Sequence, residues 1–211
     1  MGESPPAVVV FDVNIYVDLA GLITQPYEWD KLEAVAVGHW NDALPHPTDA
    51  RFDSLRAVLM SKTGQVGASG SSERLEVWTS EHIDDLVVKK VHENATDAAG
   101  RGWTQANAED LLEKLVYDLV FDFTHGGTAG RVIDPLNHPP LDHEDGCVMR
   151  TAASSGDVLE SPRYCVTRDR EFREACRADQ LEPSVQVLYP HEWVTALRNA
   201  RRPPIPRPRS E

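Results

Sequence analysis

Three aspartates, Asp12, Asp145 and Asp169, stand where the patterning of this chain places ligand-facing groups. Asp12 follows directly on Ala7-Val-Val-Val-Phe11, a short, continuous run rich in β-branched residues. Asp169 lies just beyond Thr167, the last residue of a second such run, Tyr164-Cys-Val-Thr. Asp145 begins a helix whose apolar face is Cys147, Val148, Thr151 and Ala152. Runs of this type are strands buried on both faces of a parallel sheet. Ligands of such sheets bind outside the carboxyl ends of the strands, so three acids far apart in sequence are aimed at one edge. Converging carboxylates without counter-charges repel one another, and a cation between them relieves the repulsion. Oxygen-only ligands favour Mg2+ or Mn2+ over Zn2+. Such ions activate water, orient a phosphate and stabilise a leaving oxygen.

The elements that must position these acids alternate along the chain. After Asp12, the residues Ile15, Leu19 and Leu22 suggest a helix. Trp29–Trp40 and Phe52–Met60 read as two more helices, separated by Pro45 and Pro47, and Gly64–Ser72 reads as a mobile loop. Leu75–Trp78 reads as a strand. Ser80 then caps a helix over Glu81–Val91. Thr104 caps the clearest helix, in which Leu111, Leu112, Leu115, Val116, Leu119 and Val120 form one stripe of core packing or a dimer face. Gly126, Gly127 and Gly130 break the chain, Arg131–Ile133 reads as a strand, and Pro135, Pro139 and Pro140 mark a loop. In the last third, Asp169–Ala178 reads as a helix, Val185–Tyr189 as a strand and His191–Arg198 as a closing helix. The expected architecture is therefore α/β, a three-layer α/β/α sandwich around a central mostly parallel sheet. One domain spans residues 1–200, with residues 20–75 as a helical and loop elaboration. A disordered, basic, proline-rich tail, 201–211, follows.

Composition narrows the class. The chain has 211 residues, enough for one elaborated domain, and 41% are hydrophobic, enough for a core. Acidic residues outnumber basic ones, 34 to 21, for a formal charge of −13. That balance argues against a bulk electrostatic grip on nucleic acid, although a local basic rim or a divalent cation can offset it at a site. Cys147, Cys165 and Cys176 form no Cys-x-x-Cys pair and sit in apolar segments, so they are expected as reduced core residues. With no signal sequence or membrane span in view, a soluble cytoplasmic protein is expected.

Three segments together resemble the PIN-domain nucleases, including VapC-type toxins. They are Val8-Val-Val-Phe-Asp-Val-Asn-Ile-Tyr16, Asp142-His-Glu-Asp-Gly-Cys-Val-Met-Arg-Thr-Ala152 and Tyr164-Cys-Val-Thr-Arg-Asp-Arg-Glu-Phe172. They look like that family's strand ending in Asp-x-Asn, its Asp-x-x-Asp helix start and its Val-Thr-x-Asp strand exit. The resemblance implies that Asp12, Asp145 and Asp169 hold Mg2+ or Mn2+, with Asp142 as an extra ligand or a support for one. It implies that Asn14 orients Asp12 and that Thr167 supports the same edge. The implied activity is metal-dependent hydrolysis of a phosphodiester, with RNA the expected substrate. An antitoxin protein and a second copy of the chain are the partners it suggests. The family also carries a Glu in the helix after its second strand. Here that helix reads Thr79-Ser-Glu-His-Ile-Asp-Asp-Leu-Val-Val88, with no Glu at the expected place. Aligning Ile83 and Leu86 on the apolar face puts Asp85 nearest, with Glu81 one turn earlier and Asp84 adjacent.

Two other readings stand beside this one. The missing Glu suits a binding module that keeps the fold and an acidic pocket without catalysis. Phe11-Asp-Val-Asn14 also resembles the opening motif of haloacid-dehalogenase phosphatases, with Asn14 where that motif has a second Asp. For substrate contact, Lys89, Lys90, Arg150, Arg168 and Arg170 are the basic candidates, with Arg168 and Arg170 flanking Asp169. His82, His125, His138 and His143 match no compact zinc spacing and have no cysteine partner nearby, so they are expected as surface or loop histidines.

Overall fold

The computed structural model describes residues 4–23, 27–41, 49–67, 73–93, 101–179 and 181–202. Five strands, β1 (Ala7–Phe11), β2 (Leu75–Thr79), β3 (Gly127–Thr128), β4 (Arg163–Val166) and β5 (Val185–Leu188), form one sheet in the order β3-β2-β1-β4-β5. Every pairing is parallel. β1 lies at the centre with all five residues buried, which accounts for its unbroken apolar run. The strand order reverses between β1 and β4. The crevice of a sheet wound in this way opens beyond the carboxyl ends of those two strands.

Helices cover the sheet as an α/β/α sandwich. Three separate β1 from β2: α1 (Val13–Ala20), α2 (Trp29–Asn41) and α3 (Arg51–Ser61). The last two are the elaboration expected within residues 20–75, and they share the main core through buried Leu32, Ala36, Leu55, Ala57 and Val58. α4 (Glu81–His92) follows β2, and Ser80 caps it by accepting a bond from the Ile83 amide at 3.4 Å. α5 (Gln105–Leu111) is capped by Thr104 as expected. It does not continue as an ordinary helix: residues 112–123 form a π-helix. Its apolar stripe is nevertheless buried at Leu115, Val116, Leu119 and Val120.

After the π-helix, β3 is only Gly127–Thr128, and the strand expected at Arg131–Ile133 is absent, with Ile133 89% exposed. The pairing edge is reached earlier because Gly126 lies against β2. A Cβ there would sit 1.8 Å from the Val77 carbonyl oxygen, so only glycine admits this approach.

α6 (His143–Ser154) lies across β1, β2, β4 and β5, and α7 (Arg170–Asp179) follows β4. α8 (Pro190–Ala200) closes the chain on α3, where the Trp193 indole donates to Ser61 Oγ at 2.9 Å. Arg201, the first residue of the expected tail, donates to the carbonyls of Met60 and Gln65 and to Thr63 Oγ1. Residues 203–211, Pro45 and Pro47, and residues 68–72 of the expected loop lie outside the described residues. Among the described residues no helix is long and apolar enough to cross a membrane, and the three cysteines are free.

Candidate functional site

Asp12 leaves β1 with little exposure and is fixed from three sides. Its Oδ1 accepts from the Val13 amide at 2.6 Å, and its Oδ2 accepts from Asn14 Nδ2 at 2.5 Å and Thr167 Oγ1 at 2.6 Å. Thr167 is placed by the end of β4. Its hydroxyl also accepts from Asn14 Nδ2 at 3.1 Å and from the Asp169 amide at 2.8 Å. The Asn14 carbonyl oxygen accepts from the Arg168 amide at 3.1 Å. Asn14 and Thr167 thus lace the exits of β1 and β4 together and hold Asp12 in one orientation.

Asp169 caps α7, taking the Phe172 amide on Oδ1 at 2.9 Å. The start of α6 differs from the sequence expectation in one respect. Asp142, not Asp145, is the cap, accepting from the Asp145 amide on Oδ1 at 2.7 Å. Asp145 sits in the first turn instead, where the helix dipole favours an acid. Gly146 follows because residues Pro135 and Leu136 pack on this turn: a Cβ at 146 would lie 2.9 Å from that of Pro135.

These acids meet in a cleft of about 210 Å³ lined by Asp12, Asn14, Asp142, Glu144, Asp145 and Asp169, with Val13, Val17, Leu86, Lys90 and Val148. The Asp145 carboxylate accepts no hydrogen bond and makes no ion pair among the described residues. Burial, then the negative charges of Asp142, Asp12, Asp169 and Glu144, push its carboxyl up to about 8. Asp12 is pushed up to about 6, chiefly by burial. Bonds from Thr167 and Val13 oppose the shift, while the charge of Asp169 adds to it. The Oδ2 atoms of Asp142 and Asp169 have no donor among the described residues. Asp142, Asp145 and Asp169 therefore each bring to the cleft a carboxylate oxygen with no donor among the described residues, beside the bonded Asp12, although no three of these acids have oxygens within 4.8 Å of one another. That donor set suits a hard divalent cation such as Mg2+ or Mn2+.

Other expected residues fall elsewhere. Asp85 is exposed and does not line the cleft, and Glu81 is likewise exposed. α4 turns Leu86 and Lys90 toward the acids, and Asp85 stands about 100° around the helix from Leu86. Arg168 and Arg170 do not line the cleft either. Arg168 Nη1 binds Asp18 Oδ1, and Arg170 pairs with Glu174 at 2.8 Å. Asp18 went unnoticed in the sequence, although a lone acid in the apolar run Val13–Ala20 is a signal. It is buried and also accepts from Ser54 Oγ at 2.6 Å. Lys90 is the cation that does reach the cleft, and it makes no ion pair among the described residues. Glu144, which the sequence did not single out, lines the cleft and lies 3.9 Å from Lys89.

A larger groove of about 540 Å³ runs along β5 and α7, but its charges balance, Arg173 and Arg177 against Glu182 and Glu192, with Arg173 pairing with Glu192 at 2.9 Å. The acidic cleft, with unmatched charge at the strand-order reversal, is the better candidate for chemistry. Compared with known proteins, the chain matches no family model, no curated protein and no solved structure.

Proposed function

We propose that the protein is a metal-dependent nuclease of PIN-domain type that hydrolyses phosphodiester bonds, with RNA as its substrate. The observation that carries this reading is Asp145, a half-buried carboxylate without a donor, facing Asp12, Asp142 and Asp169 across one cleft. Asp12, Asp145 and Asp169 would hold Mg2+ or Mn2+, with Asp142 contributing its free oxygen. The bound ion would supply Lewis-acid stabilisation of phosphate charge and activation of water. Asn14 and Thr167 keep the Asp12 carboxylate from rotating, which preserves its aim while the ligand changes. Lys90 gives a phosphate a positive partner in a cleft otherwise dominated by acids. No covalent enzyme intermediate is required, because water can attack phosphorus in line with the leaving oxygen.

Cleavage of labelled single-stranded RNA and DNA in Mg2+, Mn2+ or EDTA, beside Asp12→Ala and Asp145→Ala, tests this. Metal-dependent cutting lost in both variants is expected. One observation favours the non-catalytic alternative: α4 offers the cleft Leu86 and Lys90 where a further acid is expected. Under that reading, folded protein binds nucleic acid or a protein partner, such as an antitoxin, and cuts nothing in either metal.

A further inference from the structure

A different cluster lies on the neighbouring side of the first turns of α6. His143 and Cys147 are four residues apart, so their side chains share one helix face. The Cys147 thiol lies 3.8 Å from His143 Nε2. α4 packs against this helix and brings His82 to the same place, its ring 5.8 Å from that of His143 and nearly perpendicular to it. Ligand atoms of all three residues lie within 4.8 Å of one another. The sequence expectation that these histidines have no cysteine partner is thereby overturned. The partner is supplied by the helix repeat for His143 and by tertiary packing for His82.

We propose that His82, His143 and Cys147 form a second metal site, separate from the acidic cleft, that takes a zinc-class divalent ion and braces α4 against α6. His82 Nε2 is buried and has no hydrogen-bond partner among the described residues. A buried nitrogen left in that state is costly, and a metal bond would satisfy it. The donor set of two imidazoles and one thiol is softer than four carboxylates and selects Zn2+ over Mg2+. Adjacent donors of a tetrahedral zinc site stand about 3.3–3.8 Å apart. The Cys147–His143 pair already has that separation, and small side-chain rotations bring the third donor in. Exposure of His143 gives an ion a route to the buried thiol. On binding, the thiol proton leaves to solvent and the thiolate becomes a ligand, with water completing the fourth position. Two ions of different character would then flank one helix start, the softer one fixing the element from which Asp142 and Asp145 project.

The test is titration of the reduced, metal-free full chain with Co2+, followed by displacement with Zn2+. Expected are one tightly held equivalent, a near-ultraviolet thiolate-to-cobalt band and the strong visible bands of tetrahedral cobalt, all erased by Zn2+. Cys147→Ser should abolish the thiolate band. His143→Asn, a change at an exposed side chain that spares the core, should weaken cobalt binding at least about tenfold, a loss of about 1.4 kcal/mol. Asp12→Asn should leave the spectrum unchanged, which separates this site from the acidic cleft whether or not the protein cuts nucleic acid. Absence of the thiolate band in folded wild-type protein would overturn the proposal. So would its persistence in Cys147→Ser, which would assign the ion to Cys165 or Cys176.

Discussion

Asp12, directly after β1, and Asp84, in the first turn of α4 after the neighbouring strand β2, are both carboxylates with little exposure, and burial is the main cause that pushes each up to about 6. Their surroundings separate them. Asp84 has a hydroxyl for each oxygen, Thr79 at 2.7 Å and Tyr117 at 3.1 Å, and it ties the end of β2 to the π-helix. Asp12 is held as firmly, yet it faces a cleft with three further aspartates, one of which, Asp145, has no donor to its carboxylate among the described residues. A raised carboxylate value therefore marks burial in both places and a candidate site in only one. The distinction is made by open space and by acids that lack partners.

The largest expected effect breaks the pair apart by activity. Asp12→Asn keeps the shape of the side chain but removes its charge, and cleavage should fall at least about 100-fold. Asp84→Asn should leave the rate within a few fold, measured on the same RNA in Mn2+. Equal losses in the two variants would mean that Asp84 belongs to the chemistry and that the contrast is false. Stability should show the reverse order. Asp84→Ala strands the Thr79 and Tyr117 hydroxyls and should cost about 2–3 kcal/mol in urea unfolding, whereas Asp12→Asn removes a repelled charge and should cost less.

Asp12 and Asp169 were legible in the sequence because each follows a run so apolar that only a buried parallel strand accommodates it. Asn14 and Thr167 were legible by resemblance, and the structure supplies their bonds. At Asp142-His-Glu-Asp145 either acid suits the cap. The buried Leu141 places the preceding loop, so that the cap falls on Asp142. The facing of α4 was misread because Ile83 and Leu86 define an apolar side without saying which part of it abuts the acids. Arg168 looked available until tertiary packing brought Asp18 to it. The apolar stripe ending at Val120 is buried in either kind of helix, so its spacing did not reveal the π-helix. His82 and Cys147 meet only through the packing of α4 on α6, which no local pattern encodes.

A smaller effect separates the two regions by pH. Asp12, Asp84 and Asp145 all have raised values, so the folded protein holds protons that the unfolded chain releases near pH 4. The stability they contribute is complete below that point and is lost as pH rises through about 6 for Asp12 and Asp84 and about 8 for Asp145. From about pH 7 to 9, Asp145 is the one of the three still titrating. In EDTA, Tm should fall across that interval. Mg2+ should recover about 2–4 °C at pH 8 and less at pH 6, where protons compete with the ion. An Asp145→Asn protein should lose both trends. Were Mg2+ to raise Tm equally at both values, the cation would be binding away from Asp145.

The smallest effect belongs to Asp85, the acid that sequence alignment placed nearest the missing Glu. It is exposed on α4 and outside the cleft, with Leu86 and Lys90 occupying the face it was expected to share. Asp85→Ala should therefore change cleavage less than about twofold and stability by no more than about 0.5 kcal/mol, as for an ordinary surface substitution. Lys90→Ala, one turn beyond Leu86, should weaken substrate binding about tenfold, the size of one charge-assisted contact, and should do so through KM rather than kcat. That ordering, Lys90 above Asp85, follows only if α4 presents the face described. If Asp85→Ala were as damaging as Asp12→Asn, α4 would have to rotate when substrate binds, and the metal ligands would extend to a residue that the free protein leaves in solvent.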